Sequence, residues 1–133
     1  MSDTQMQVEL VAADRLVWSG EATMVIARTT EGDVGILPNH APMLSLMVDG
    51  IVDVTTADGE TWIAAVDAGF LSVANNRISI LAEHAEMSHD IDLEKARADL
   101  DRAHAAGEND DETSAAVDRA WAEARIRAAE KAS

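Results

Sequence analysis

Apolar and polar residues alternate along the first two-thirds of the chain and recur at helical spacing along the last third, so the pattern predicts strands followed by helices. From Gln5 to Ala12, Met6, Val8 and Leu10 fall on one face and Gln7, Glu9 and Val11 on the other, as in a half-buried strand. Ala13-Asp14-Arg15 turns the chain and Leu16-Val17-Trp18 opens a second strand. Ser19-Gly20 reads as a bulge or tight bend before the β-branched stretch Ala22 to Thr29. A short buried strand is expected from Val34 to Leu37, and two more over Met43 to Val48 and Gly50 to Thr56. Asp58-Gly59 is expected to form a type I′ hairpin turn between Val52-Asp53-Val54 and Thr61-Trp62-Ile63. Asn75-Asn76 predicts a second such turn, between Gly69–Ala74 and Arg77–Leu81. Short strands with turns every eight to twelve residues indicate an antiparallel β-sandwich or barrel, ending near Met87.

The period then changes. Ser88 or Asp90 is an expected N-cap, with Asp92 and Glu94 suited to the positive end of a helix. Leu93, Ala96, Leu100 and Ala103 form one stripe from Ile91 to Ala106, Gly107 to Asp111 reads as a breaker, and a second helix is expected from Glu112 to Lys131. Val117, Trp121, Ala124 and Ala128 form its stripe, with Trp121 the one large anchor. The fold class is therefore α+β: an antiparallel β-sandwich over residues 1–87 and a two-helix antiparallel hairpin over residues 88–133. An alanine seam is thin, each methyl being worth about 0.8 kcal/mol or less, and an isolated hairpin of this kind is marginal.

Composition sharpens this picture. Aromatic residues make up 3% of the 133 residues, so Val, Ile, Leu, Met and Ala must build the core. With no cysteine there are no disulfides or thiolate metal ligands. No apolar run is long enough for a bilayer span, and the expected protein is soluble, on the cytosolic side. A formal charge of -15 argues against nucleic acid and against direct insertion into anionic lipid. Residues 1–90 hold 14 acidic and 3 basic side chains, whereas residues 112–133 hold four of each. Arg119, Arg125, Arg127 and Lys131 gather toward the C-terminal half of the last helix, where cations suit the helix dipole.

Candidate chemistry is sparse. His84 and His89, near Glu83 and Glu86, lack the spacing of a metal site and read as a solvated polar connector; His104 is expected on an exposed helix face. Neither a Walker pattern nor GxGxxG is present. Pro38 and Pro42 stop sheet pairing and fix a rigid loop that presents Asn39 and His40 to solvent. His40 lacks a serine, cysteine or carboxylate placed by sequence to work with it, so a contact role is expected rather than a catalytic one. A small acid–base enzyme using His40 remains a competing reading, as does a generic sandwich adaptor.

Gly32-Asp33-Val34-Gly35-Ile36 leading into Pro38-Asn39-His40-Ala41-Pro42-Met43-Leu44 resembles the signature of the epsilon subunits of rotary F-type ATP synthases, with Met43-Leu44 where the family often has two leucines. Trp18-Ser19-Gly20, Asp67 to Val73 and Ile80 to Glu83 match further family motifs in register, over about the first 96 residues. The resemblance implies a non-catalytic central-stalk subunit at the cytoplasmic face of the bacterial membrane, bound to the gamma subunit and to the ring of c subunits. In that role it couples proton flow to ATP synthesis and restrains hydrolysis. It further implies that Asp33, Pro38, Asn39, His40, Ala41 and Pro42 face the c-ring. Arg119, Arg125 and Arg127 would then touch acidic segments of the alpha/beta catalytic head when the last helix extends. Some bacterial members bind regulatory ATP through a motif that falls here on Ile91, Asp92, Lys95 and Ala96, with Arg102 on the same helical face. Lys95 replaces the family's arginine and loses its planar fork, so weak ATP binding or none is expected. A plainer reading makes Asp92, Lys95, Asp99 and Arg102 intrahelical ion pairs.

Overall fold

The computed structural model describes the backbone of residues 5–109 and 113–132. Ten strands come first: β1 (Met6–Ala12), β2 (Arg15–Ala22), β3 (Met24–Thr29), β4 (Gly32–Ile36), β5 (Met43–Met47), β6 (Gly50–Thr55), β7 (Thr61–Val66), β8 (Gly69–Ala74), β9 (Arg77–Ala82) and β10 (Ala85–Met87). A 3-10 turn at Ser88–Asp90 leads into α1 (Leu93–Asn109) and α2 (Thr113–Ala132). The strands pair in the order β10-β7-β6-β3-β5-β8-β9-β1-β2, with β4 beside β3. At the β3–β5 corner only Thr29 and Met47 are in register, so the sheet folds there into two leaves. Met6, Val8 and Leu10 of one leaf share a core with Val25, Val52 and Val66 of the other. The Trp18 and Trp62 rings, 6.2 Å apart, pack where the edge strand β2 approaches β7 and β10.

Alternation in β1 places Met6, Val8, Leu10 and Ala12 in the core, as the sequence pattern requires. Several local expectations are revised. The sheet is not wholly antiparallel, because β1 and β9 run parallel. The bulge lies at Val17 of β2, unpaired opposite the step from Leu10 to Val11 of β1, not at Ser19-Gly20. Gly20 instead leaves room for the Trp18 ring, whose Cη2 would lie 2.9 Å from an added Cβ. The strand expected to be buried from Val34 to Leu37 is the largely exposed β4, in which only Ile36 is buried. Gly32 has φ +112° where it closes the β3–β4 turn, whereas Gly35 has neither a positive φ nor a close neighbour.

Asp58-Gly59 does turn the chain, but only Gly59 has positive φ, at +87°. The Gly59 N–H donates to Thr56 O and the Thr56 N–H to Glu60 O, giving a three-residue loop with glycine in the left-handed position. Asn75 and Asn76, at φ 53° and 60°, form the expected type I′ turn.

The helical third also differs in detail. Asp92, rather than Ser88 or Asp90, caps α1: its Oδ1 accepts the Lys95 N–H at 3.1 Å. The helix continues through Gly107 to Asn109, so the expected breaker does not stop it there, and residues 110–112 lie outside the described residues. Ala124 and Ala128 of α2 are fully buried against Ile63 and Ala65 of β7, with Ile51, Ile91 and Trp121 packed around them. Val117 is not on that stripe but 58% exposed. The first helix packs mainly on α2, through faces that bury Ala96, Ala103 and Ala122.

Gly69 tests the sandwich packing. A Cβ there would collide with the backbone carbonyl of Leu81 on β9. Gly69→Ala is expected to destabilise the chain by about 1–3 kcal/mol, whereas Gly35→Ala should stay within about 0.5 kcal/mol. Denaturant titration of the two variants measures the difference.

Candidate functional site

The Pro38–Pro42 loop is built from turn chemistry. The His40 N–H donates to Leu37 O at 3.1 Å, with Pro38 and Asn39 at the corners and Asn39 at φ 69°. Proline first and a left-handed asparagine second suit a type II turn. The Asn39 N–H donates to Asn76 Oδ1 at 2.6 Å, and Asn76 Nδ2 donates to Asn39 Oδ1 at 3.3 Å. The loop is thereby pinned to the β8–β9 turn, a partnership with no sequence signal beyond two asparagines in turns. His40 Nδ1 donates to Ala41 O at 2.7 Å, which fixes the ring. Ala41 and Pro42 are exposed. Asp33, on exposed β4, lies 3.9 Å from Arg28 Nε. The structure thus holds Pro38, Asn39, His40, Ala41 and Pro42 in one shaped protrusion, with Asp33 on the strand that leads into it.

Sequence reasoning missed a second surface. Leu46 of β5 pairs with Phe70 of β8, Phe70 with Leu81 of β9, Leu81 with Val11 of β1, and Val11 with Leu16 of β2. These five residues form a continuous apolar row across the outer face of that leaf. Phe70 is 49% exposed and neighbouring Leu44 is 72% exposed. Such a row on an outer face marks an interaction surface. The available signal was the run Met43-Leu44-Ser45-Leu46-Met47, apolar on both faces of a strand.

The outer face of the other leaf lies under α2. His84, expected to be a solvated connector, is held there: Asp67 Oδ1 accepts its backbone N–H at 2.8 Å and Oδ2 meets Nδ1 at 2.7 Å. Its ring lies 5.8 Å from that of Trp121 on α2, and the His89 ring meets Trp62 edge-on at 5.8 Å. His104 is exposed, as expected. Among the described residues no group of three His, Cys, Asp or Glu side chains could hold a metal.

Arg125 is the least expected of the arginines: it is 7% exposed. Its Nη1 donates to Asp99 Oδ2 on α1 at 3.1 Å. Its Nε lies 2.6 Å from Glu86 Oε1 on β10, an ion-pair contact without hydrogen-bond geometry. Asp99 also pairs with Arg102. Arg119 is half-buried and Arg127 exposed, while Lys131 Nζ reaches Asp53 Oδ2 of β6 at 3.3 Å. In this docked position the three arginines do not form one surface.

The residues from Ile91 to Arg102 each have a place in the docked hairpin. Ile91 packs against the helix–sheet seam, and the Asp92 carboxylate is engaged in capping. Lys95 is exposed, Ala96 is buried, and Arg102 is paired with Asp99. The Asp99–Arg102 half of the expected intrahelical pairing is present. Asp92 instead serves the backbone.

The family profile described as ATP synthase, Delta/Epsilon chain, beta-sandwich domain matches residues 5–88. An ATP synthase epsilon chain of Rhodococcus jostii is 50% identical over 129 residues, 96% of this chain and 98% of that one. The chain belongs to the ATP synthase epsilon chains. The epsilon chain of Streptomyces avermitilis is 54% identical over 104 residues, covering 78% of this chain and 84% of that one. A solved chain in the OSCP/F1/c-ring assembly of Euglena gracilis mitochondrial ATP synthase superposes with TM-score 0.75 at 25% identity, over 97% of this chain and 81% of that one. The family profile ends within the 3-10 turn, so it spans the sandwich and stops short of α1. Among the described residues no helix is long and apolar enough to cross a membrane.

Asp49 lies in the turn between β5 and β6. Its Oδ1 accepts the Ala68 N–H at 3.0 Å. Burial raises its carboxyl above the ordinary 3.8; the Ala68 hydrogen bond opposes this, nearby Asp67 adds to it, and Arg127 opposes it weakly. A carboxyl raised on folding binds its proton more tightly in the native state, so stability falls as the pH climbs through 3.8 and above. Asp49→Asn keeps the acceptor for Ala68 and removes the charge. Its Tm is expected to exceed that of the parent at neutral pH, with the gap closing as the pH approaches 3.8. A Tm below that of the parent at neutral pH would show that the charge on Asp49 is stabilising.

Proposed function

We propose that the chain is a non-catalytic rotor subunit of a proton-translocating ATP synthase, coupling proton flow to ATP synthesis and restraining ATP hydrolysis. In this reading it sits at the cytoplasmic face of the membrane. The observation that carries the proposal is the division of surfaces: a rigid loop at one site, a bare apolar row on one leaf, and a helical hairpin on the other. The row of Leu46, Phe70, Leu81, Val11 and Leu16 suits a long-lived apolar partner, which we assign to the gamma subunit. The protrusion of Pro38, Asn39, His40, Ala41 and Pro42, with Asp33, suits the polar loops of the c-ring. Its internal hydrogen bonds lower the ordering needed on contact.

Residues 1–87 form the binding unit in this reading and 88–133 the regulatory one. The hairpin rests on the sheet through a seam of alanines. If it swings away, Arg119, Arg125 and Arg127 become available to acidic segments of the alpha/beta head, by steering and ion pairing that salt would screen. Regulatory ATP would bind weakly or not at all, because Asp92 and Arg102 are already engaged.

Reconstitution of the synthase tests the reading as a whole. Cysteines at positions 33 and 40 are expected to crosslink to subunit c. Deleting residues 112–133 is expected to leave assembly and synthesis intact and to raise ATP hydrolysis. Crosslinks to gamma alone would refute the ring-facing placement. Unchanged hydrolysis at both low and high salt would make the helix a structural appendage.

A further inference from the structure

We propose that Arg125 is the latch that holds the helical hairpin on the sheet. Three separate elements meet at this one side chain: Arg125 from α2, Asp99 from α1 at 3.1 Å and Glu86 from β10 at 2.6 Å. The arginine side chain is 8% exposed, and the two carboxylates are largely buried. Elsewhere the seam is apolar, built from Ala124, Ala128 and Trp121 against Ile63 and Ala65, and the other ion pair between α2 and the sheet, Lys131 with Asp53, has its cation half-exposed and free to return to water. Arg125 cannot. Lifting α2 from the sheet separates it from Glu86, and parting the two helices separates it from Asp99.

Burial makes the arrangement conditional on all its members. A cation removed from water is stabilised only while its carboxylates are present, so loss of one side leaves the other buried and uncompensated. Arg102 also pairs with Asp99, so that carboxylate meets one cation from its own helix and one from α2. Of the other ionisable groups near the latch, Asp118 lines the same cleft between α1 and α2, and His84 lines the neighbouring cleft beside Glu86 but is committed to Asp67. The seam of alanines supplies contact, and the latch supplies the register in which α2 lies.

This inference deepens the regulatory reading above, because Arg125 is also one of the arginines assigned to the catalytic head. The two engagements exclude each other, so the carboxylates on β10 and α1 compete with those of the head for one guanidinium.

Hydrogen exchange on the full chain, followed by mass spectrometry, tests the latch without the rest of the synthase. Arg125→Met and the double variant Glu86→Gln/Asp99→Asn are each expected to accelerate exchange across α2 by about tenfold or more. The amides of β1 and β6 to β9 should remain protected, which reports that the sandwich is folded. Combining all three substitutions removes every buried charge of the set and is expected to restore much of the protection of α2. A residue that only fills space would give additive losses in the triple variant, and that result would overturn the proposal. So would exchange of α2 within about twofold of the parent in both single-sided variants. In the reconstituted synthase, Glu86→Gln/Asp99→Asn should lower hydrolysis, since it frees α2 while keeping Arg125. If α2 opens in the isolated chain but hydrolysis does not fall, the latch stands and the restraint of hydrolysis is what fails.

Discussion

The contact between Ala124 and Ala128 of α2 and Ile63 and Ala65 of β7 sets how closely the last third of the molecule approaches the sheet. Side chains of one to four carbons let the helix backbone approach the sheet closely, but each contributes little apolar area. Because α1 packs mainly on α2, it is held to the body of the protein largely through its neighbour. Trp121 reaches His84 and Lys131 reaches Asp53 only because the alanine face brings α2 down onto β6 and β7. The burial of Arg125 follows from the same approach. A larger side chain at position 124 or 128 would hold all of these groups apart.

The two leaves of the sandwich use similar sequence for opposite ends. Strands β6 and β7 carry Ile51, Ile63 and Ala65 outward, and α2 covers them. Strands β5, β8 and β9 carry Leu46, Phe70 and Leu81 outward with no cover from the other described residues. Lifting the hairpin would expose a second apolar face, so departure of α2 from the sheet is favoured only when another surface takes its place. That requirement is a physical reason for the hairpin to stay down unless a competing surface is offered to it. An equilibrium of this kind is shifted decisively by differential binding of about 5.5 kcal/mol.

Much of the architecture was legible in the sequence because it depends on period. Alternation in Met6–Ala12 and the helical spacing of Ala124 and Ala128 each specify a buried face without reference to the rest of the fold. Asn75-Asn76 was legible because two left-handed residues in succession belong to one turn type. The parallel pairing of β1 with β9 was not, since strand order is a property of the whole sheet. Nor was β4, whose apolar residues suggested burial although the strand lies beside β3, off the main strand order. At the candidate site, the rigid loop could be read from its prolines, but its tie to Asn76 could not, because the partners lie 37 residues apart. Arg125 illustrates the same limit. Its charge suited the helix dipole, and nothing local indicated that Glu86 and Asp99 would converge on it.

Equilibrium unfolding of the isolated chain, followed by two probes, tests most directly whether the sandwich and the hairpin are separable units joined by a thin seam. Far-UV circular dichroism at the helical band reports α1 and α2, and the fluorescence of Trp18 and Trp62, in a Trp121→Phe background, reports the sandwich. A thin seam predicts that the helical signal is lost at lower denaturant than the tryptophan signal, because a detached hairpin is marginal as a helix. Coincident transitions in both probes would show a single cooperative unit, and would contradict a hairpin able to leave the sheet while the sandwich stays folded.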